Sequence, residues 1–195
     1  MIAHLRGKLL AKHPNQAIVE AGGVGYDVNI SVPTFSALPE TGSEVALFVY
    51  THVREDVMAL YGFLQTADKI LFEKLIGVSG IGPKLANTIL SGMPESSQIV
   101  NAIRSGDLAR LTRIPGVGKK TAERMVLELR DKFPATGLET PKSAATPVRE
   151  DVTSALINLG YKPGEVEKAL AGIANSARPE SFDLLFREAM GLLSK

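Results

Sequence analysis

Short runs of alternating apolar and polar residues fill the first third of the chain and predict strands. Residues 2–10, 17–21, 24–32, 45–53 and 57–63 are rich in Val, Ile, Leu, Tyr and Phe. Turn residues separate them: Pro14-Asn15, Gly22-Gly23, a stretch opening at Pro39, and Arg54-Glu55-Asp56. Alternation is clearest from Tyr26 to Val32, which predicts one buried and one wet face. Five strands within residues 1–64 suit a small five-stranded barrel of the OB-fold type.

After residue 64 the period changes. Residues 65–133 are dominated by Ala, Leu, Lys and Glu and read as helices. Residues 134–148 hold Pro134, Pro141 and Pro147, one glycine and small polar residues, with almost nothing to bury. This predicts a flexible linker with a root-mean-square reach of roughly 20 Å. Residues 149–195 carry three helical stripes. The first is Val152, Leu156, Ile157 and Leu159, ended by Gly160. The second is Val166, Ala169, Leu170 and Ile173. The third is Phe182, Leu185, Phe186, Ala189, Met190 and Leu193. The expected architecture is multidomain α+β: a barrel, a central all-α domain and a C-terminal three-helix bundle.

Composition narrows the chemistry. The 195 residues carry 22 Lys+Arg and 21 Asp+Glu, a net +1, with 45% apolar and 22% charged residues. That is ordinary for a folded globular protein. No cysteine is present, so disulfides, Cys-ligated zinc and a thiol nucleophile are excluded. Three scattered histidines, His4, His13 and His52, do not suggest a metal cluster. No apolar run approaches the length of a membrane span, and the N-terminus lacks a signal-peptide pattern, so a cytoplasmic protein is expected. The charge is unevenly placed. Residues 1–64 carry four basic and six acidic side chains, whereas residues 65–133 carry eleven basic and seven acidic. The middle third is where a polyanion would be sought.

That same third contains an internal repeat. Leu75-Ile-Gly-Val-Ser-Gly80-Ile81-Gly82-Pro-Lys84-Leu-Ala86 returns 36 residues later as Leu111-Thr-Arg-Ile-Pro-Gly116-Val117-Gly118-Lys119-Lys120-Thr-Ala122. Each copy reads as a helix, a tight apolar-Gly-apolar-Gly hairpin, and a second helix starting near Pro83 or Lys119. In such a hairpin both glycines permit positive φ and close backbone approach. The following amides point outward at a helix N-terminus, where the dipole favours an anion. Gly80, Gly82 and Lys84 form one candidate phosphate site, and Gly116, Gly118, Lys119 and Lys120 the other. Ile81 and Val117, between the glycines, are expected to pack inward. Amides and lysines read phosphate rather than base identity. Rival phosphate motifs fail at particular letters. A Walker A loop would need Lys at Pro83. A dinucleotide fingerprint would need Gly at Leu85 or Thr121. ATP binding by this chain is therefore not expected.

On composition alone, Arg54-Glu55-Asp56 reads as a solvated hairpin tip. A metal-dependent nuclease pair is disfavoured, because no third acid is near in sequence.

Over its whole length the sequence resembles the RuvA family, the Holliday-junction-binding subunits of bacterial branch-migration machines. The resemblance rests on the opening Met1-Ile2-Ala3-His4-Leu5-Arg6-Gly7, Tyr50-Thr-His-Val-Arg-Glu-Asp with Leu60-Tyr61-Gly62-Phe63, both hairpins, the Pro-rich linker, and Leu156-Ile-Asn-Leu-Gly-Tyr-Lys-Pro163. It implies an OB-fold domain over 1–64, a tandem helix-hairpin-helix domain over 65–133 and a UBA-like three-helix domain over 149–195. It also implies a homotetramer, or a facing pair of tetramers, that holds a four-way DNA junction open. The C-terminal domain would recruit the hexameric RuvB ATPase, and the RuvC resolvase would join the same complex. ATP and Mg²⁺ would be used by the motor, with no cofactor in this chain. Glu55 and Asp56 match the family's acidic pin at the junction centre, which replaces the solvated-tip reading. Leu156, Leu159, Tyr161 and Met190 match apolar positions used against RuvB, with core packing equally open for Leu156.

The resemblance implies a non-catalytic scaffold. A structure-specific nuclease or glycosylase carrying helix-hairpin-helix modules is the competing class. It lacks support in the sequence, which has neither a compact acidic cluster nor a Lys-and-Asp base-excision pattern after the hairpin. A pure protein–protein adaptor conflicts with the concentration of positive charge in the middle region.

Overall fold

The computed structural model describes residues 1–133, 148–173 and 181–193. They form two units, one within residues 1–140 and one within 141–195.

The first unit opens with five strands: β1 His4–His13, β2 Gln16–Ala21, β3 Val24–Ile30, β4 Glu44–Val53 and β5 Met58–Phe63. They close into a barrel in the order β1-β2-β3-β5-β4, antiparallel except for the β3–β5 pair. Leu5, Leu9, Val19, Val28, Ile30, Val45, Leu47 and Val49 fill it, at alternate positions within each strand. The Gly22-Gly23 turn has φ of 60° and 83°, both positive, as a two-residue hairpin matched to strand twist requires. β1 pairs with both β2 and β4, and a register shift between Leu9 and Ala11 lets it bend. At Gly7 the chain has no room for a side chain: a Cβ there would lie 2.0 Å from the Glu20 carbonyl oxygen. Gly7→Ala must push β1 off β2. It is expected to destabilise the chain by more than about 3 kcal/mol, read as a fall in thermal unfolding temperature.

One element was not expected. The sequence predicts strand to Val32, but β3 stops at Ile30 and a short helix, α1, covers Val32–Ala37. The Ser31 hydroxyl accepts from the Thr34 amide at 3.3 Å, and Pro33 sits in the first turn. A capping serine followed by an N-terminal proline outweighs the strand propensity of Val32.

Helices α2 Thr66–Ile76, α3 Pro83–Ser91, α4 Ser96–Ser105, α5 Leu108–Leu111 and α6 Lys119–Leu129 follow, closed by a 3₁₀ turn at Arg130–Lys132. Their core is continuous with the outer face of the barrel. Phe72 of α2, fully buried, meets the rings of Tyr50, Tyr61 and Phe63 at centroid distances of 5.3, 5.0 and 5.1 Å. The Asn87 side-chain amide donates to the Ile30 carbonyl at 3.0 Å, and the Val32 amide donates to the Ser91 hydroxyl at 3.1 Å. Burial of Tyr61 beside Phe72 raises the phenol pKa above its ordinary value. Barrel and helices are thereby locked together.

The second unit contains α7 Val148–Asn158, α8 Pro163–Gly172 and α9 Phe182–Leu193. Val152, Leu156, Val166, Leu170, Leu185 and Ala189 form its core. Two members of the expected first stripe are outside it. Ile157 is one residue round the helix from Leu156 and exposed, and Leu159 lies beyond the helix end, next to Gly160 at φ 97°. Of the expected linker, 134–147 lies outside the described residues, and Val148 belongs to α7.

Candidate nucleic-acid interface

The 36-residue repeat folds twice into the same turn. The Ile81 amide donates to Val78 O and the Val117 amide to Ile114 O, each at 3.0 Å. The Ala86 amide donates to Gly82 O and the Ala122 amide to Gly118 O, each at 2.9 Å. Ile81 and Val117 are both 4% exposed, so the residue between the glycines pegs each hairpin to the core, as expected.

The two glycines of each pair do different work, a distinction invisible in the residue pattern. Gly80 and Gly116 adopt φ of 90° and 81°, a region costly for any residue with a Cβ. Gly82 and Gly118 instead have φ of −88° and −83° with ψ near 171°, ordinary extended backbone at the N-cap of α3 and α6. A Cβ at either would meet no atom within 4 Å. It would project into the open space before the helix N-terminus. Open space therefore adjoins the N-terminus of each of these helices. Among the described residues no side chain caps α3 or α6. Pro83 has no amide hydrogen, and the Lys84, Leu85, Lys120 and Thr121 amides fall in first turns, where no intrahelical acceptor exists. Lys84, Lys119 and Lys120 are exposed beside them. The two sites are neighbours, since a Cβ at Gly116 would lie 3.0 Å from the Leu85 side chain.

A further cation joins this surface without a motif to announce it. Arg124, exposed on α6, donates from Nη1 to the Ser79 carbonyl at 3.3 Å, across 45 residues of sequence.

The acidic pair sits at the tip of the β4–β5 hairpin. The Arg54 amide donates to Val57 O at 2.8 Å and the Val57 amide donates back to Arg54 O at 3.4 Å. Glu55 and Asp56 are thus the two loop residues and both are exposed. Among the described residues no ion pair holds either carboxylate, and no group of three His, Asp or Glu side chains comes together. Nor does a hydrogen bond tie the tip to either helix-hairpin-helix turn among those residues.

In the second unit the four apolar candidates separate. Leu156 is 0% exposed inside the bundle, so its side chain is core and not a partner-facing surface. Tyr161 and Met190 are half-buried against that core. Leu159 is 60% exposed.

Three family descriptions match consecutive parts of this layout. The RuvA N-terminal domain matches residues 1–62, the SAM-like helix-hairpin-helix tandem residues 72–131, and the RuvA C-terminal domain residues 147–194. A protein of Solibacter usitatus named Holliday junction branch migration complex subunit RuvA is 54% identical over 99% of this chain and 100% of its own length. Proteins of the same name from Acidobacterium capsulatum and Citrifermentans bemidjiense are 57% and 46% identical, over 99% and 100% of this chain and all of theirs. A barrel with an acidic hairpin tip, two open-amide hairpins and a separate helical bundle, matched end to end at this identity, places the chain in the RuvA family.

Proposed function

We propose that this chain is the structure-selective, non-catalytic DNA-binding subunit of a branch-migration complex. It binds four-way junctions and recruits the RuvB ATPase. The observation that carries this reading is the duplicated hairpin: two open helix N-termini with closely matching backbone geometry, one beside the exposed Lys84 and the other beside the exposed Lys119 and Lys120. The full-length relatives named for the same complex support it. A phosphodiester is the ligand that fits, because amides and lysines carry no base preference.

Four copies arranged about the junction would bring eight hairpins to four arms, with the Glu55-Asp56 tips at the centre. A homotetramer or a facing pair of tetramers fits that scheme. ATP and Mg²⁺ belong to the motor and not to this chain. Recruitment falls to the C-terminal bundle through the exposed Leu159 and the half-buried Tyr161 and Met190. The RuvC resolvase would act within the same assembly. No described helix is long and apolar enough to cross a membrane. A cytoplasmic location follows from the DNA substrate.

Incubation with end-labelled four-way junction and Mg²⁺, without partner, separates scaffold from nuclease. Retarded, uncut strands are expected; cleavage would support the enzymatic class. The hairpins make a second expectation. Binding to phosphates releases counterions, so junction affinity should fall steeply with salt whatever the sequence. Lys120→Ala should reduce the slope of log K against log salt by roughly one unit, the share of one neutralised phosphate. An unchanged slope after removal of Lys84, Lys119 and Lys120 together would contradict the assignment.

A further inference from the structure

The two hairpins are equivalent in backbone but unequal in charge. At the 36-residue offset Lys120 corresponds to Lys84, whereas Lys119 corresponds to Pro83. The first motif therefore brings one lysine to its helix N-terminus and the second brings two.

The fold makes up the difference from across the repeat. Arg124 stands on the helix of the second motif, yet its guanidinium lies at the turn of the first. Nη1 is 3.3 Å from the Ser79 carbonyl oxygen and 3.5 Å from the Ser79 hydroxyl. The same nitrogen would lie 3.7 Å from a Cβ at Gly80. Ser79 and Gly80 are exposed and immediately precede the buried Ile81 peg, so the guanidinium rests on the outer side of the first turn. The second turn receives no such cation from the first motif. The residue equivalent to Arg124 there is Thr88, whose hydroxyl donates to the Lys84 carbonyl of its own helix at 3.1 Å. What reaches Gly116 from the first motif is the apolar side chain of Leu85.

We propose that Arg124 is the second cation of the first phosphate site. A DNA phosphate received by the Lys84 and Leu85 amides and the Lys84 ammonium also faces the Arg124 guanidinium, so that each hairpin presents two cations, Lys84 with Arg124 and Lys119 with Lys120. Arginine suits the position because its five donors form a fixed fork. One donor holds the Ser79 carbonyl while others remain for a phosphate oxygen. That tether also places a long side chain before DNA arrives, which lowers the ordering cost of binding. The pairing makes the two motifs one unit: the first site is complete only when α6 is packed beside it.

The inference rests on the reading of the hairpins as phosphate sites, and the test separates the two. Junction affinity is measured across a salt series for the full-length protein carrying Lys84→Gln, Lys120→Gln, Arg124→Gln or Arg124→Lys, and for the Arg124→Gln/Lys84→Gln and Arg124→Gln/Lys120→Gln pairs. Arg124→Gln is expected to lower the salt slope as much as Lys84→Gln does, at an unchanged unfolding temperature, and Arg124→Lys to restore the slope. With Lys84→Gln its effect should fall short of the product of the single effects by about threefold or more. With Lys120→Gln the effects should multiply. If the two lysine variants lower the slope and Arg124→Gln does not, Arg124 is only a strap on the turn and the proposal is overturned. Coupling to Lys120 instead of Lys84 would overturn it too. If neither lysine variant moves the slope, the phosphate reading of the hairpins fails, and the assignment of Arg124 falls with it.

Discussion

A chain ending at Phe133 is expected to bind four-way junctions as tightly as the full chain and to lose stimulation of the RuvB ATPase entirely. Every group assigned to DNA lies before that point: both hairpins, Arg124 and the Glu55-Asp56 tip. The barrel and helices share a core of their own, sealed by Phe72 and closed at the C-terminal end by Phe133, which is 4% exposed. The truncated chain therefore keeps what it needs to fold. The bundle core of Val152, Leu156, Val166, Leu170, Leu185 and Ala189 is likewise its own. Within the intact protein, the proposed split can be reproduced by point changes. Leu159→Ala removes an exposed side chain and should leave the unfolding temperature within the range of neutral surface changes. If Leu159 anchors the partner, its removal together with Tyr161→Ala should weaken partner affinity about thirtyfold, the equivalent of ~2 kcal/mol. Leu156→Ala should instead unfold the bundle, at about 2–5 kcal/mol, because the side chain is buried. Normal motor stimulation by the Phe133-terminated chain would refute the assignment of recruitment to the bundle.

Replacing Glu55 with Gln and Asp56 with Asn is expected to raise affinity for linear duplex by about tenfold at low salt while leaving junction binding intact. The tip is a two-residue loop with both carboxylates exposed and no ion pair among the described residues to neutralise them. Two negative charges presented to a phosphate backbone repel it, by roughly 1 kcal/mol per close pair in water. Selectivity for the open junction then arises from what the tip rejects rather than from what it attracts. The gain in duplex binding should shrink as salt rises, since exposed charges are screened. Equal junction-to-duplex ratios for variant and parent, measured side by side at low salt, would show that the tips play no part in selectivity.

Much of this was written into the chain at short range. The barrel strands, the Gly22-Gly23 turn and the duplicated hairpins are local patterns, in which a period of two or a pair of glycines fixes the backbone within a few residues. The turn geometry was less legible than the turn itself. Sequence alone treats the paired glycines alike, whereas Gly80 and Gly116 adopt positive φ and Gly82 and Gly118 are extended, with open space beside them. Helix α1 was hidden because Val32 continues the apolar run, although Ser31 and Pro33 carried the capping signal. The acidic tip is legible as a hairpin turn, but composition could not give it a role; only the family resemblance did. Leu156 and Leu159 are three residues apart in one stripe, and which of them is buried depends on where α7 ends and on what α8 and α9 cover. Arg124 depended on a hydrogen bond spanning 45 residues, beyond the reach of any local pattern.

The most direct measurement is a competition at a single, stated salt concentration, without partner protein. Labelled four-way junction is held by the full-length chain and challenged with unlabelled junction or with linear duplex of the same arm sequences. Unlabelled junction is expected to displace the label at concentrations at least about a hundredfold below those of duplex, with arms of unrelated sequence performing equally. Displacement by duplex at the same concentration as junction would contradict structure-selective binding.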